Sequence, residues 1–354
     1  MTELFLEILN MSVRASWVIL AVLALRLLLR KGPTWFPMAL WVVTAIRLVC
    51  PLSIRSSVSL IPSSQTVAPS IMPAPQPTID SGIPMIDQMI NPVILDALSP
   101  AVDTGMHSLQ FWVHLSTLVW VLGIIVLLGY MIFSYCRLHH RVRNAAFSEG
   151  RIYFSEKIRS PFVLGILKPN IYLPYKLAEA DRAHVLSHEL THIRRLDHWW
   201  KPIGFLILTL HWFNPLVWLA YILLCKDIEV ACDKAVVKQL SPAQRADYAQ
   251  ALLNCCAEHS RISACPIAFG EISIKERVKN VLNYKKPTFW LILVAAIVCV
   301  AAVFCLLTDP NNPAVPTDPS SVESTPTEPV GESSTESTPA EPGEGPYGLP
   351  TPQV

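Results

Sequence analysis

The sequence predicts a mainly α membrane protein in which four transmembrane helices frame one compact polar region. Three observations lead there. The 354-residue chain is 52% hydrophobic and only 16% charged, where soluble proteins average about 25% charged. Four apolar runs approach or exceed the roughly 20 residues that cross a bilayer. Lysine and arginine gather on alternate sides of those runs. A net charge of +1 argues against nucleic-acid binding through a basic surface.

The first span runs from Leu4 to Leu29. It has no basic leader and no small-residue cleavage site, so it reads as an uncleaved anchor. Trp35 to Leu52 is the second span, and residues 1–52 hold this pair. Residues 53–108 form a loop with Pro and Ser clusters and an apolar stretch from Ile83 to Leu98. The third span, Phe111 to Tyr135, lies within 109–135. The fourth, Phe289 to Leu307, lies within 287–307 and follows Lys285 and Lys286. Residues 308–354 are rich in Pro, Ser, Thr, Glu and Gly, with too few apolar residues for a core, and are expected to be disordered.

Arg30 and Lys31 separate the first two spans, and Arg137, Arg141 and Arg143 follow the third. The 53–108 loop carries only Arg55, and the tail carries no Lys or Arg. The positive-inside rule then places the N-terminus and tail outside and residues 136–286 in the cytoplasm. The nine cysteines are scattered without a CxxC pair, which suits small buried hydrophobes better than a disulfide framework.

Within 136–286, Arg151–Glu156 and Pro161–Pro174 alternate apolar and polar residues and read as a small strand pair. Leu177 to Trp200 reads as a helix. The apolar stretch 202–225 is long enough to cross, but Asn214-Pro215 interrupts it. Proline breaks a helix and restricts the residue before it. Two half-helices, Ile203–Phe213 and Leu216–Leu224, are expected to form a buried or re-entrant hairpin, because broken backbone survives at membrane depth only where protein buries it. Ser241-Pro242-Ala243-Gln244 has the form of a capping box, starting a helix through His259.

The chemistry concentrates at His188-Glu189-Leu190-Thr191-His192, which matches the HExxH pattern of zinc metallopeptidases. Residues four apart share a helix face, so His188 and His192 can hold one zinc ion. Glu189 is placed to act as general base on a water that the metal polarises. Past the hairpin, Glu229 and Asp233 form an ExxxD pattern that resembles the downstream signature of gluzincin-type metallopeptidases. That resemblance makes Glu229 the third metal ligand and Asp233 a partner that fixes a histidine tautomer. A hairpin at 202–225 returns Glu229 to the side of His188; a single crossing does not. His184 lies one turn before His188, and three successive turns cannot all reach one ion, so it reads as a pocket-edge or surface histidine. Asp197 and His198 read either as groups supporting the ligands or as a helix end in solvent. Cys232 reads as a packing residue, with zinc binding as its alternative; His211 as a satisfied buried histidine, with donation to an oxyanion as its alternative; and Tyr248 as a core or surface tyrosine, with approach to the site as its alternative.

These residues together resemble the BlaR/MecR family of bacterial membrane metalloproteases, the beta-lactam receptor–antirepressors and their relatives. The resemblance is carried by Ser160–Pro169, Ile171–Pro174, HELTH, Arg195–His198, His211–Trp218, Glu229–Asp233, Phe269-Gly270 and Glu276-Arg277-Val278. It implies a gluzincin-like zinc endopeptidase domain facing the cytoplasm of a bacterial plasma membrane. It further implies a signalling relay that ends in self-cleavage and the loss of a cytosolic repressor. The family's receptors carry a penicillin-binding sensor after the last span. Here the segment after Leu307 has no Ser-x-x-Lys motif, so covalent capture of a beta-lactam is not expected. Two alternatives stand beside this: a housekeeping protease of the prenyl-CaaX or HtpX type, and a non-catalytic receptor that keeps zinc for structure.

Overall fold

The first two apolar runs fold as helices α1 (Thr2–Leu28) and α2 (Trp35–Val49). In this computed structural model the described residues are 1–30, 32–50, 54–56, 85, 87–92, 105–257 and 274–310. After strand β1 (Ile54–Ser56) comes α3 (Gly105–Val142), which extends well beyond the apolar run at its centre. A four-stranded sheet follows: β2 (Ala146–Glu149), β3 (Ile152–Ser155), β4 (Phe162–Leu164) and β5 (Asn170–Pro174). Then come α4 (Glu179–Arg194), α5 (Asp197–Leu210), α6 (Pro215–Val237) and α7 (Pro242–Ala257). The described chain ends with α8 (Ile274–Leu282), α9 (Phe289–Leu307) and β6 (Thr308–Pro310).

Among the described residues, three helices are long and apolar enough to cross a membrane: α1, α3 from Phe111 onward, and α9. The fourth expected span, α2, has 15 residues and so covers only about 22 Å. That falls short of a hydrocarbon core of about 30 Å. It packs into the middle of the bundle, with Phe36 and Leu40 fully buried beside Val18, Ile19 and Val22 of α1, Phe205 and Leu208 of α5, and Tyr221 of α6. α3 is mostly exposed along its length.

The stretch 202–225 is two antiparallel helices. Phe205 of α5 meets Tyr221 of α6 with ring centroids 5.8 Å apart. Gly204 lets the helices approach, since a Cβ there would lie 3.0 Å from Leu224 and 3.3 Å from Tyr221. The turn between them is held by hydrogen bonds to three other helices. Asn214 caps α6 through Oδ1 and donates to Ser12 Oγ and Ser16 Oγ of α1, both at 2.8 Å. His211, fully buried, bonds the Leu48 carbonyl of α2 at 2.9 Å. Trp120 of α3 donates to the Leu210 carbonyl at 3.0 Å, and Trp212 donates back to the Trp120 carbonyl at 3.1 Å. Carbonyls left open at the turn thus find partners inside protein, Leu210 from Trp120, His211 from the Asn214 N–H and Trp212 from Trp218, as an apolar setting demands.

Gly123 on α3 makes the Trp212 contact possible. A Cβ there would fall 2.2 Å from the indole, inside any van der Waals limit. Gly123→Ala is therefore expected to lower stability by about 1–3 kcal/mol, the range for overpacking. A drop in the thermal unfolding midpoint of the detergent-solubilised protein checks this; an unchanged midpoint would mean the indole yields freely.

The sheet has the order β2-β3-β5-β4. It holds two strands more than the expected pair: β2 pairs with β3 through Gly150 at φ +58°, and the strand expected over 161–174 is two strands, β4 and β5. β3 runs parallel to β5, and β4 antiparallel to it with Phe162 opposite Tyr172. The β4–β5 turn requires Gly165 at φ +112°, where a Cβ would meet the Lys168 carbonyl at 2.4 Å. Ile171 and Leu173 of β5 are fully buried and pack on Val185 of α4, so the sheet backs the HELTH helix. β4 is an edge strand beside that helix.

The helix expected over 177–200 is two helices. Leu196 adopts φ 60° and ends α4, because its left-handed turn reverses the chain before α5. The capping box at Ser241 closes in both directions, Ser241 N to Gln244 Oε1 at 3.0 Å and Gln244 N to Ser241 Oγ at 3.4 Å. Residues 258 and 259 of the helix expected there lie outside the described residues. So do the expected apolar stretch of the outer loop, in large part, and tail residues 311–354. The tail's first three residues form β6, which pairs in parallel with β1, Ile54 opposite Thr308. All described residues fall within one compact unit, Met1–Asn312.

Candidate metal centre

α4 and α6 bring the sequence-predicted ligands together. Four-residue spacing stacks His188 over His192 on the inner face of α4, and their Nε2 atoms lie 3.1 Å apart. The hairpin returns α6 alongside, and Glu229 meets both rings: Oε2 is 3.6 Å from His188 Nε2, and Oε1 is 3.6 Å from His192 Nε2. Zinc ligands at about 2.0–2.1 Å in tetrahedral array stand about 3.3 Å from one another. The separations of 3.1, 3.6 and 3.6 Å bracket that value. The donor set therefore fits one small dication. Glu189 is 8% exposed on the same helix, next to His188.

A thiol also approaches. Cys232, three residues after Glu229, joins His188 and His192 in a group with ligand atoms within 4.8 Å of one another. Its Sγ lies 3.5 Å from His188 Nδ1 and donates to the His188 carbonyl at 3.4 Å. It thus approaches the ring nitrogen of His188 that points away from His192 and Glu229.

Each histidine is steered through its Nδ1. Asp197 Oδ2 accepts from His192 Nδ1 at 2.8 Å. The left-handed turn at Leu196 aims that carboxylate back at the preceding helix. His188 Nδ1 lies 2.8 Å from the Tyr248 hydroxyl, which donates to Asp233 Oδ1 at 2.8 Å. Asp233 itself is 3.4 Å from that nitrogen, so Tyr248 is the closer partner. A carboxylate only accepts, and a hydroxyl committed to Asp233 has only its lone pairs left. Both rings therefore keep a proton on Nδ1 and turn Nε2 inward.

Three further residues complete this centre; the sequence marks Tyr248 only as a tyrosine of the 241–259 helix and Arg277 only as part of the family resemblance. Tyr248 reaches it from α7. Arg277, from α8, grips Asp233 with Nε at 2.8 Å and Nη2 at 2.7 Å, and lies 3.3 Å from His188 Nε2. Lys201, on α5, donates to Glu229 Oε1 at 2.9 Å. A lone lysine opening an apolar helix was the only hint. His184 is half-buried, one turn from the pair, with its ring 6.2 Å from that of Tyr248.

Burial disfavours charge at every one of these groups, and at the two histidines and Glu229 opposite charges override it. Against burial, Cys232 and Glu229 push His188 up to about 10. Against burial, Glu229 and Cys232 likewise hold His192 well above its ordinary value. Glu229 is held well below the usual carboxylate range, its burial outweighed by Lys201 and His192. Burial and the neighbouring Asp233 push the Tyr248 hydroxyl well up, which keeps it a donor. Ligand protons and a metal ion compete for such a cluster, so metal uptake releases protons.

Tyr248→Phe removes the hydroxyl and keeps the ring. Loss of a partner that orients a ligand typically costs 10–100-fold in metal affinity. About tenfold weaker metal binding is expected, measured by competition against a chromophoric chelator; wild-type affinity would show that the hydroxyl only fills space.

Comparison with known proteins places the chain in a family. The family described as BlaR1 peptidase M56 matches residues 6–281. The methicillin resistance mecR1 protein of Staphylococcus aureus is 27% identical over 217 residues, covering 52% of this chain and 37% of that protein. The regulatory protein BlaR1 of Bacillus licheniformis is 29% identical over 195 residues, covering 47% of this chain and 32% of that protein. The chain thus spans about a third of the length of the curated relatives it matches. With the family match running from α1 through most of α8, the chain belongs to the BlaR1 peptidase M56 family, a family of membrane metallopeptidases.

Proposed function

We propose that this chain is a membrane-embedded zinc endopeptidase of a signalling relay, of the gluzincin type, with His188, His192 and Glu229 holding zinc and Glu189 as general base. The observation that carries this is the convergence of two Nε2 atoms and one carboxylate at tetrahedral spacing, with a buried Glu189 beside them. Zinc there supplies Lewis acidity toward water and the scissile carbonyl. Glu189 takes the proton from the attacking water and delivers it to the leaving amine. Asp197, Tyr248 and Asp233 keep both imidazoles in one tautomer. Lys201 keeps Glu229 ionised and turned inward. β4 offers free main-chain groups to an extended substrate beside α4.

The relatives' names, a methicillin resistance protein and a regulatory protein, support a role in signalling. The proposed outcome is self-cleavage, loss of a cytosolic repressor, or both. The proposed topology has residues 1–52, 109–135 and 287–307 supplying four bilayer passages, with α2 completing its crossing through flanking residues. Residues 53–108 and 308–354 then lie outside, and the peptidase domain 136–286, with its hairpin 202–225, faces the cytoplasm.

The test is zinc stoichiometry and peptide cleavage on the purified chain. About one zinc per chain is expected. Chelation should abolish cleavage, and added zinc should restore it. Cleavage that survives full zinc removal would overturn the proposal. Cysteine labelling in intact cells tests sidedness; labelling from outside near Glu229 would overturn the topology.

A further inference from the structure

Asp227 lies two residues before Glu229 on α6. Successive residues turn by about 100° on a helix. The two carboxylates therefore leave α6 on nearly opposite sides: Glu229 faces α4, and Asp227 faces α1 and α2. Nothing in the proposed chemistry uses Asp227, yet it is 8% exposed and takes three hydrogen bonds from the apolar bundle. Arg26, in the last turn of α1, clamps it with Nε to Oδ2 at 2.8 Å and Nη2 to Oδ1 at 2.7 Å. Trp41 of α2, 5% exposed, adds Nε1 to Oδ2 at 2.9 Å.

A forked, planar pair of this kind fixes direction as well as distance. A third donor from a separate helix removes the remaining freedom to slide. Between this clamp and Asn214, which is bonded to Ser12 and Ser16, α6 is tied to α1 near both the start and the middle of its length. Those ties set the axial position of Glu229, one of three ligands that must converge on one ion. The next residue back, Lys226, pairs with Glu276 of α8, adjacent to Arg277 of the metal centre.

We propose that Arg26 and Trp41 act through Asp227 as positioning residues for Glu229, so that the arrangement of α1 against α2 sets the geometry of the metal centre. This rests on the metal-centre assignment above. It makes the two helices a lever on that centre, with the Arg26–Asp227–Trp41 cluster as its point of attachment.

The experiment uses the full chain loaded with cobalt, whose visible absorption reports coordination geometry directly. Asp227→Asn and Arg26→Gln are expected to bind cobalt about tenfold more weakly than wild type, with an altered visible band while the protein remains folded. Arg26→Lys, which keeps the charge but not the fork, should recover only part of the affinity. If Asp227→Asn does not fold, Trp41→Phe, which loses one donor and keeps a ring, should show the same spectral change at smaller amplitude. A folded variant with wild-type cobalt affinity and spectrum would overturn the proposal while leaving the metal centre intact. Cobalt uptake by His188→Ala equal to wild type would overturn the metal centre, and the positioning role with it.

Discussion

Glu189→Gln is expected to keep its zinc and lose proteolysis. The amide is close in size to the carboxylate it replaces, and Glu189 is not among the converging ligand atoms, so His188, His192 and Glu229 should stay in place. What disappears is a proton acceptor: an amide nitrogen and carbonyl cannot take the proton of the attacking water. General acid–base catalysis contributes about 10²–10⁴-fold, and a drop of that size in turnover is the expected result. Zinc content measured on the same sample separates this from metal loss. Wild-type cleavage by zinc-loaded Glu189→Gln would remove Glu189 from the chemistry and leave the general base to another group.

Glu229→Ala and Cys232→Ala are expected to part company in metal binding. Glu229 lies 3.6 Å from both inward-facing imidazole nitrogens, whereas Cys232 approaches His188 at Nδ1. Removing the carboxylate leaves two ligands, and removing the thiol leaves three. Glu229→Ala should therefore lose stoichiometric zinc, with Lys201 also left as a buried cation without its 2.9 Å partner. An uncompensated buried charge of that kind costs about 3–5 kcal/mol, so a lower unfolding midpoint is expected as well. Cys232→Ala should keep about one zinc per chain and remain active. The reverse pattern would make this a His-His-Cys site, in which Glu229 serves only as counter-ion to Lys201.

How much of this was legible beforehand depended on the range over which each feature is decided. HELTH is a four-residue spacing on one helix, and the 3.1 Å approach of its two Nε2 atoms is local geometry. The capping box at Ser241 is local for the same reason. The break at Asn214-Pro215 was visible because proline forbids a continuous helix wherever it stands. The break at Leu196 was not, because a leucine at φ 60° carries no sequence mark; the turn is imposed by what α4 and α5 pack against. β2 was missed since its four residues are all exposed and show no alternation of burial.

The amino-acid sequence by itself determined the apolar helices, the spacing of the two histidines, the adjacent glutamate and the interruption that folds 202–225 back on itself. Each follows from side-chain chemistry and backbone sterics within a few turns of chain. Tertiary structure alone decided that Tyr248, 60 residues beyond His188, is its hydrogen-bond partner. It alone decided that Arg277 and Lys201 flank Glu229, and that α2 lies inside the bundle. Those contacts join segments far apart in the chain. Their partners are selected by packing between helices, and no period or motif within one segment carries that information.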